Sequence, residues 1–468
     1  MKSMIVKWGP LLVLSLALGI IIIDTTLLNV SLSTLIRELH TNLQSLQWVI
    51  SAYALTLAAL TVTGGRMGDL FGKRRMFRLG ALLFAIGSFQ ASISNSVPML
   101  LIGEALIEGI GAALMMPATA SLLVARYRGH DRAIAFGIWG SVAAVASAIG
   151  PLLGGFLTTH YSWRWGFRIN VFVVAILLAG SVVLDEPEGE RHARKIDWLG
   201  VFLSALGLFL IVFGIIGSTT YGWSSTLVLM AIGGGLSVLA LFAIWERRLE
   251  QRGGTPIVSM KLFANKHFMA GAGVTAVLML SQNGVIFSLP VFLQTVNNLS
   301  AFHTGLALMP MSVTLLFVSP IAGVLTKRIA HKRIIQTGLA ITVVALLVLP
   351  FSLRPGMSIW GLAPGLALYG LGMGMVLSQV NNLTLSSVPV REVGEASGVM
   401  NTFRQIGASL GAAIIGAILL STIAQAPAGA RRAATTLGDQ RALLCGAGFA
   451  LLGLLISVRL PLRPSDHS

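Results

Sequence analysis

Charge is scarce in this sequence, and negative charge most of all. Only 11% of its 468 residues are charged, and Asp and Glu together number 17, where a soluble globular chain carries about 25% charged residues. That shortage excludes an ordinary water-soluble domain. Cysteine is almost absent: Cys445 stands alone in the last apolar run, which excludes a disulfide framework and the CxxC spacing of metal sites. There is no phosphate-binding loop, no HExxH and no nucleophile elbow, so ATP-driven pumping and enzymatic chemistry are not expected. The GxG pattern at Gly372 to Gly374 lies inside an apolar run, where it signifies packing.

What the chain has instead is apolar runs of membrane length from end to end, with 55% hydrophobic residues and 52 glycines. Each run is about long enough to cross a hydrocarbon core of roughly 30 Å. A transmembrane β-barrel would show short alternating segments. The pattern therefore predicts an all-α polytopic membrane protein. Fourteen spans are expected, near 10–33, 46–66, 77–96, 98–124, 133–158, 166–184, 198–218, 225–245, 268–293, 302–326, 334–353, 358–382, 396–424 and 441–460. The first run carries an Asp and no small-residue cleavage site, which reads as a retained span rather than a signal peptide.

The net charge of +16 would suggest nucleic acid in a soluble protein, but here it has a topological explanation. With the N-terminus on one side and fourteen spans, all 33 Lys and Arg fall on that side except Arg37, Arg164, Arg168, Arg354, Arg431, Arg432 and Arg441. Cytoplasmic loops carry such an excess, so both termini are expected in the cytoplasm. No nucleic-acid partner is implied, and the bilayer is the partner that the composition requires.

Two longer inner loops, DEPEGERHARKID (185–197) and 246–267, read as solvated connectors and bracket spans 7 and 8. They divide the chain into 1–184, a six-helix bundle, 185–267, a linker with two inserted helices, and 268–468, a second six-helix bundle. The loop GGRMGDLFGKRR (64–75) follows the second span of the first six, and GVLTKRIAHKR (323–333) follows the second span of the last six. Such a correspondence is the mark of an internally repeated transporter.

GGRMGDLFGKRR resembles the loop motif of the major facilitator superfamily. DTTLLNVSL (24–32), GPLLGG (150–155) with Gly137 and Gly140 before it, WRWGFRIN (163–170) and GEASGVMNTFRQIG (394–407) resemble motifs of its drug:proton antiporter branch with fourteen spans. The resemblance covers nearly the whole chain. It implies a major facilitator fold in which two six-helix bundles rock about a midplane cavity, and export driven by proton entry without ATP or any cofactor. It also implies a bacterial cytoplasmic (inner) membrane. One departure stands out: in LIGEALIEGIGAA (101–113) the family's proton-linked Arg is replaced by Ala105, and Glu104 and Glu108 are present.

Asp24, Glu104 and Glu108 are the acids expected well inside spans, where a charge costs roughly 2.5–3.5 kcal/mol. Residues four apart share one helix face, and a close buried carboxyl pair holds one proton between its members. Asp24 lies nine residues before Ser33 and Glu108 ten after Pro98, which puts both about 14–15 Å below the outer end. These three acids are the expected proton-coupling residues, with Asp24 and Glu108 also facing substrate. A structural cap at Asp24 and a permanently protonated Glu are the competing readings. Gln282, Asn283, Phe287 and Tyr369 are further substrate candidates, although polar residues also join helices and a packed aromatic explains Phe287 or Tyr369 equally simply. For gating the expected residues are Gly65, Asp69, Gly72, Arg74 and Arg132 at the loop, Gly150, Pro151, Gly154 and Gly155 in span 5, and Arg404 at the inner end of span 13. Asp69 is expected to pair with Arg66, Arg74 or Arg132, or with a helix N-terminus of the other bundle. The repeat has Lys327 at that position.

Proton-coupled export of small hydrophobic or cationic molecules leads the functional readings. Export of an endogenous metabolite, antibiotic or siderophore on the same fold is the second. A non-transporting membrane sensor or scaffold is the third, and the midplane acids argue against it.

Overall fold

The computed structural model describes residues 2–185 apart from Asn42, 197–299 apart from Thr255, 301–389, 392–424, 427 and 431–463. Helices dominate. In chain order they are α1 (Lys2–Glu38), α2 (Leu43–Phe71), α3 (Lys73–Ser92), α4 (Val97–Arg126), α5 (Gly129–His160), α6 (Arg164–Gly180), α7 (Trp198–Tyr221), α8 (Thr226–Gln251), α9 (Lys266–Asn283, continuing to Thr295), α10 (Ala301–Leu325), α11 (His331–Ser352), α12 (Ala363–Leu385), α13 (Val393–Ala424) and α14 (Arg431–Ser457). Among the described residues, eleven helices are long and apolar enough to cross a membrane. Helices α3, α5 and α9 occupy the intervals of the third, fifth and ninth expected spans without meeting that measure. Hydropathy of the helices alone thus supports eleven of the fourteen.

Local chemistry explains the breaks. Gly72 separates α2 from α3 at a φ of 104°, a region that strains any residue with a Cβ. Ser96 caps α4 by accepting from the Met99 N–H, and Pro98 fills its first turn, where no N–H is needed. Two helices widen locally into π turns: Leu101–Glu108 in α4 and Gly284–Ser288 in α9. At such turns the ladder shifts from i−4 to i−5 and side-chain direction is reset.

Helices α1 to α6 pack together, as do α9 to α14, and the two groups meet chiefly along α2 with α13 and α5 with α10. Their closest backbone approaches lie at one end, which also holds the start of α1 and is rich in cations. There a Cβ on Gly65 would sit 2.2 Å from the Gly394 carbonyl oxygen, and one on Gly323 2.6 Å from that of Ala133. Gly137 meets the Ser319 carbonyl at 2.6 Å by the same measure. Helix α7 lies in the seam: Val212 packs on Leu55 and Ala58 of α2, and Ile211 and Ile215 on Ala413 of α13. Helix α8 packs on α7 and leaves Leu229, Met230, Leu236 and Leu241 exposed. An apolar face of that extent belongs against lipid rather than water.

The connector between α8 and α9 departs from a simple solvated loop. Glu246 is fully buried and accepts from the Ile257 N–H at 2.9 Å, while Asp197 accepts from Trp245 Nε1 at 2.6 Å. Burial of Ile257 and Val258 draws the connector under the bundles. Residues 186–196 of the other connector lie outside the described residues.

Candidate functional site

The three span acids come together inside the first bundle. Asp24 of α1 and Glu104 and Glu108 of α4 are each at most 3% exposed, and Asp24 and Glu108 share one amide donor. The amide of Asn170, on α6, is the hub. Its Nδ2 lies 2.7 Å from Asp24 Oδ1, 3.2 Å from Glu108 Oε1 and 3.1 Å from Ser88 Oγ. The Ser88 hydroxyl donates to Glu108 Oε1 at 2.7 Å. This proximity depends on small residues. A Cβ on Gly87 would lie 2.5 Å from the Glu108 nitrogen, and one on Gly103 2.9 Å from the Ala91 nitrogen; α3 and α4 touch through their backbones, as small-residue seams in membranes permit.

The side-chain donors that hydrogen-bond these carboxylates, Asn170 and Ser88, are neutral. Asp24 Oδ2, Glu104 Oε2 and Glu108 Oε2 are shielded from solvent and accept no hydrogen bond. These oxygens are where protons can bind. The buried Tyr53 hydroxyl also lacks a partner and lies within electrostatic reach of all three acids. Ala105, at the missing arginine position, is fully buried. The π turn carries both glutamates, and with more than four residues per turn it nearly aligns positions four apart. Depth is one point where the structure differs from expectation: α1 continues to Glu38, so Asp24 sits about 21 Å from its end and Glu108 about 16 Å from the start of α4.

The Gly64 to Arg75 segment forms a contact between bundles. Asp69 Oδ2 accepts from the Glu395 N–H at 2.8 Å, and Oδ1 lies 3.4 Å from Lys73 Nζ. Glu395 is in the first turn of α13, where backbone N–H groups have no helical acceptor and the helix dipole favours an anion. Gly394 is required here, since a Cβ would fall 2.4 Å from Asp69 Oδ1. The Glu395 carboxylate in turn accepts from the Ser259 N–H at 2.5 Å and pairs with Arg66 at 3.5 Å. The helix N-terminus is thus the expected partner that the structure shows, together with Lys73. Arg74 donates instead to the carbonyls of Ser181 and Val182, at 3.1 and 3.2 Å, holding the end of α6. Arg132 is buried near the start of α5. Lys327, at the repeat position, is exposed.

In span 5 a Cβ on Gly150 would lie 1.8 Å from Thr26 Oγ1, and one on Gly154 3.0 Å from the Leu27 carbonyl oxygen. Helix α5 therefore lies directly on α1 beside Asp24. Gly155 is half-buried in the same helix, and the side chain of Pro151 lies outside the described residues.

A small, partly open cavity lies between the bundles, among α4, α5, α12 and α13. Arg404 reaches it. This corrects the placement of Arg404 at the inner end of a span: α13 begins at Val393, which sets Arg404 about 16 Å into the helix. Its guanidinium donates to Asn381 Oδ1 at 3.3 Å, while Nε is shielded from solvent and has no partner. Glu104 and Glu108 do not line this cavity; Met116, which does, is about 12 Å further along α4 than Glu108. Gln282 is half-buried, Tyr369 is 1% exposed within the second bundle's core, and the side chains of Asn283 and Phe287 lie outside the described residues.

A fourth intramembrane acid escaped the sequence reading. Asp439 is fully buried on α14 and accepts a short hydrogen bond from Ser288 in the π turn of α9. It lies before the expected start of span 14 at 441, because Arg441 and Asp439 together lower the local hydropathy, whereas α14 begins at Arg431. Asn170 was visible as the one amide at the start of an apolar run, and Ser88 gave no signal at all.

Two packed groups of long apolar helices make this a polytopic helical membrane protein with the build of a transporter. The chain belongs to the Major Facilitator Superfamily, whose family model matches residues 14–198 and 189–412. The methylenomycin A resistance protein of Bacillus subtilis is 30% identical over 449 residues, 95% of this chain and 93% of that one. The multidrug export protein EmrB of Escherichia coli is 28% identical over 407 residues, 86% of this chain and 78% of that one. The solved structure of the proton:xylose symporter XylE superposes with a TM-score of 0.67 at 14% identity, covering 97% of this chain and 95% of that chain; it speaks for the fold alone.

Proposed function

We propose that this protein exports small organic molecules, of the drug and antibiotic kind, in exchange for protons. The observation that carries the reading is the Asp24–Glu104–Glu108 cluster: three carboxyl groups buried in one region, Asp24 and Glu108 hydrogen-bonded by neutral groups, and each of the three with an oxygen free to take a proton. The relatives named for resistance or export support the direction of transport. On this reading the chain crosses a bacterial cytoplasmic membrane fourteen times, with its cation-rich end and both termini in the cytoplasm. Each proton moving inward supplies about 2.3 kcal/mol per 100 mV.

The residues divide the work. Asn170 and Ser88 hold Asp24 and Glu108 in one network, so that protonation of one changes the hydrogen bonds of α1, α3, α4 and α6 together. Asp69, docked on the N-terminus of α13, keeps the cytoplasmic ends of the bundles closed while the opposite side is accessible. Cargo released outward and protons taken up there precede opening of this contact. The relative named for methylenomycin A resistance favours a metabolite or antibiotic as a second class of cargo on the same machinery.

Reconstitution into proteoliposomes under an imposed pH gradient, with a panel of dyes, drugs and metabolites, tests the reading. Gradient-dependent movement is expected, and Glu104→Gln with Glu108→Gln should remove it. Normal gradient-driven transport by that double variant would overturn it.

A further inference from the structure

We propose that the cavity around Arg404 is a binding site for an organic anion, a carboxylate or phenolate carried on a planar aromatic body. This names a cargo class within the exporter reading, and it differs from the cationic cargo that the acids alone suggest.

Among the described residues, the cavity wall is rich in donors and contains no acid. Its lining includes Arg404, Trp139, Asn381, Asn401, Phe136 and Met400. Arg404 Nε and Trp139 Nε1 are both shielded from solvent, and neither has a hydrogen-bond acceptor. The partner of the guanidinium is the neutral oxygen of Asn381. A guanidinium in a membrane span with no carboxylate beside it is strongly disfavoured unless something with negative charge joins it. Its planar fork matches a carboxylate, and Trp139 supplies a second donor from α5. Phe136 and Trp139 stand edge to face, with ring centroids 5.8 Å apart, and Met400 adds a polarizable surface suited to an aromatic ring. Asn401 Oδ1, also without a partner, can accept from a hydroxyl on the same ligand.

Position agrees with this chemistry. The cavity draws on both bundles, α4 and α5 from the first and α12 and α13 from the second, so a ligand here senses their relative motion. It lies apart from the carboxylate cluster, so an anion is not placed against Asp24 or Glu108.

Calorimetric binding to the full chain in detergent, with empty micelles subtracted, provides the test. The probes are 2-naphthoate, its neutral counterpart 2-naphthamide, and chloride alone. Wild-type protein should bind the naphthoate at least about tenfold more tightly than the amide, a difference of about 1.4 kcal/mol. Arg404→Gln should abolish that preference. Trp139→Phe should weaken naphthoate binding severalfold, and provides a second test should the glutamine variant fail to fold. Equal affinity for naphthoate and naphthamide, a preference that survives Arg404→Gln, naphthoate affinity unchanged in Trp139→Phe, or chloride binding as tightly as the naphthoate would each overturn the proposal. Binding does not depend on proton coupling. Loss of the naphthoate preference with gradient-driven transport intact removes this inference alone, and the reverse result removes the exporter reading alone.

Discussion

The two bundles differ in the charged groups they hold away from the helix ends: a cluster of three acids in the first, and a half-buried arginine set apart from a single acid in the second. The first holds Asp24 and Glu108 around Asn170 with Glu104 buried nearby, and no Lys or Arg is among their described hydrogen-bond partners. The second holds Arg404, bonded to a neutral amide, and the acid Asp439, bonded to a serine. Opposite charges kept for stability would be paired, since separating them in a low-dielectric interior is strongly unfavourable. On the reading proposed above, the unpaired acids of the first bundle serve protons and the unpaired arginine of the second serves a negatively charged group. The latch repeats the asymmetry. The Asp69 side chain is 4% exposed and docked across the bundles, whereas Lys327 at the equivalent turn is exposed.

The sharpest way to break the contrast is to neutralise an acid in each half. Glu108→Gln should reduce gradient-driven export by about 100-fold or more, the scale of losing a positioned proton carrier, while Asp439→Asn should stay within about threefold of wild type by the same reasoning. Equal losses in the proteoliposome assay would mean that both bundles carry protons. The latch comes next. Asp69→Asn should lower transport about tenfold, or ~1.4 kcal/mol, with normal membrane insertion, and Lys327→Asn less than about twofold on that scale. Matching effects would remove the latch from the mechanism.

Packing offers a smaller contrast. Gly150→Val drives a side chain into Thr26 and should cost about 1–3 kcal/mol of stability, seen as a lower melting temperature in detergent. A Cβ on Gly448 in α14 meets nothing within 4 Å, so Gly448→Ala should melt with the wild type. The smallest effect on transport is expected from Ser288→Ala, which leaves Asp439 without its donor and should cost about 1–3 kcal/mol of stability without altering proton-driven export.

Much of the fold was legible in the sequence because a bilayer allows few solutions. Backbone polar groups must be satisfied within each span, so apolar runs can only be helices, and cation placement orients them. Helices α2, α4, α6 to α8 and α10 to α13 fall close to their expected intervals for that reason. Asp24 and the two glutamates stood out since charge in a span is rare. Less visible was what surrounds them. Ser88 and Asn170 are distant in sequence from both carboxylates, and only the backbone contact of α3 with α4 places Ser88 beside Glu108. Asp439 was missed because helix ends are set by capping and packing as well as hydropathy, and α14 begins at Arg431, before its apolar run.

By itself, then, the sequence determined that this chain is a helical membrane protein, which end carries its cations, and which acids cannot be ornamental. Hydrophobic length and loop charge act locally along the chain, and they need no knowledge of neighbours. Tertiary structure decided the rest. It joined Asp24 and Glu108 through one asparagine with Glu104 buried nearby, seated Asp69 on the first turn of α13, and set Arg404 about 16 Å into its helix facing a cavity that has no acid among its described lining residues. Those outcomes depend on which glycines meet which backbones across the bundles, and pair contacts between distant segments are not written in any one span.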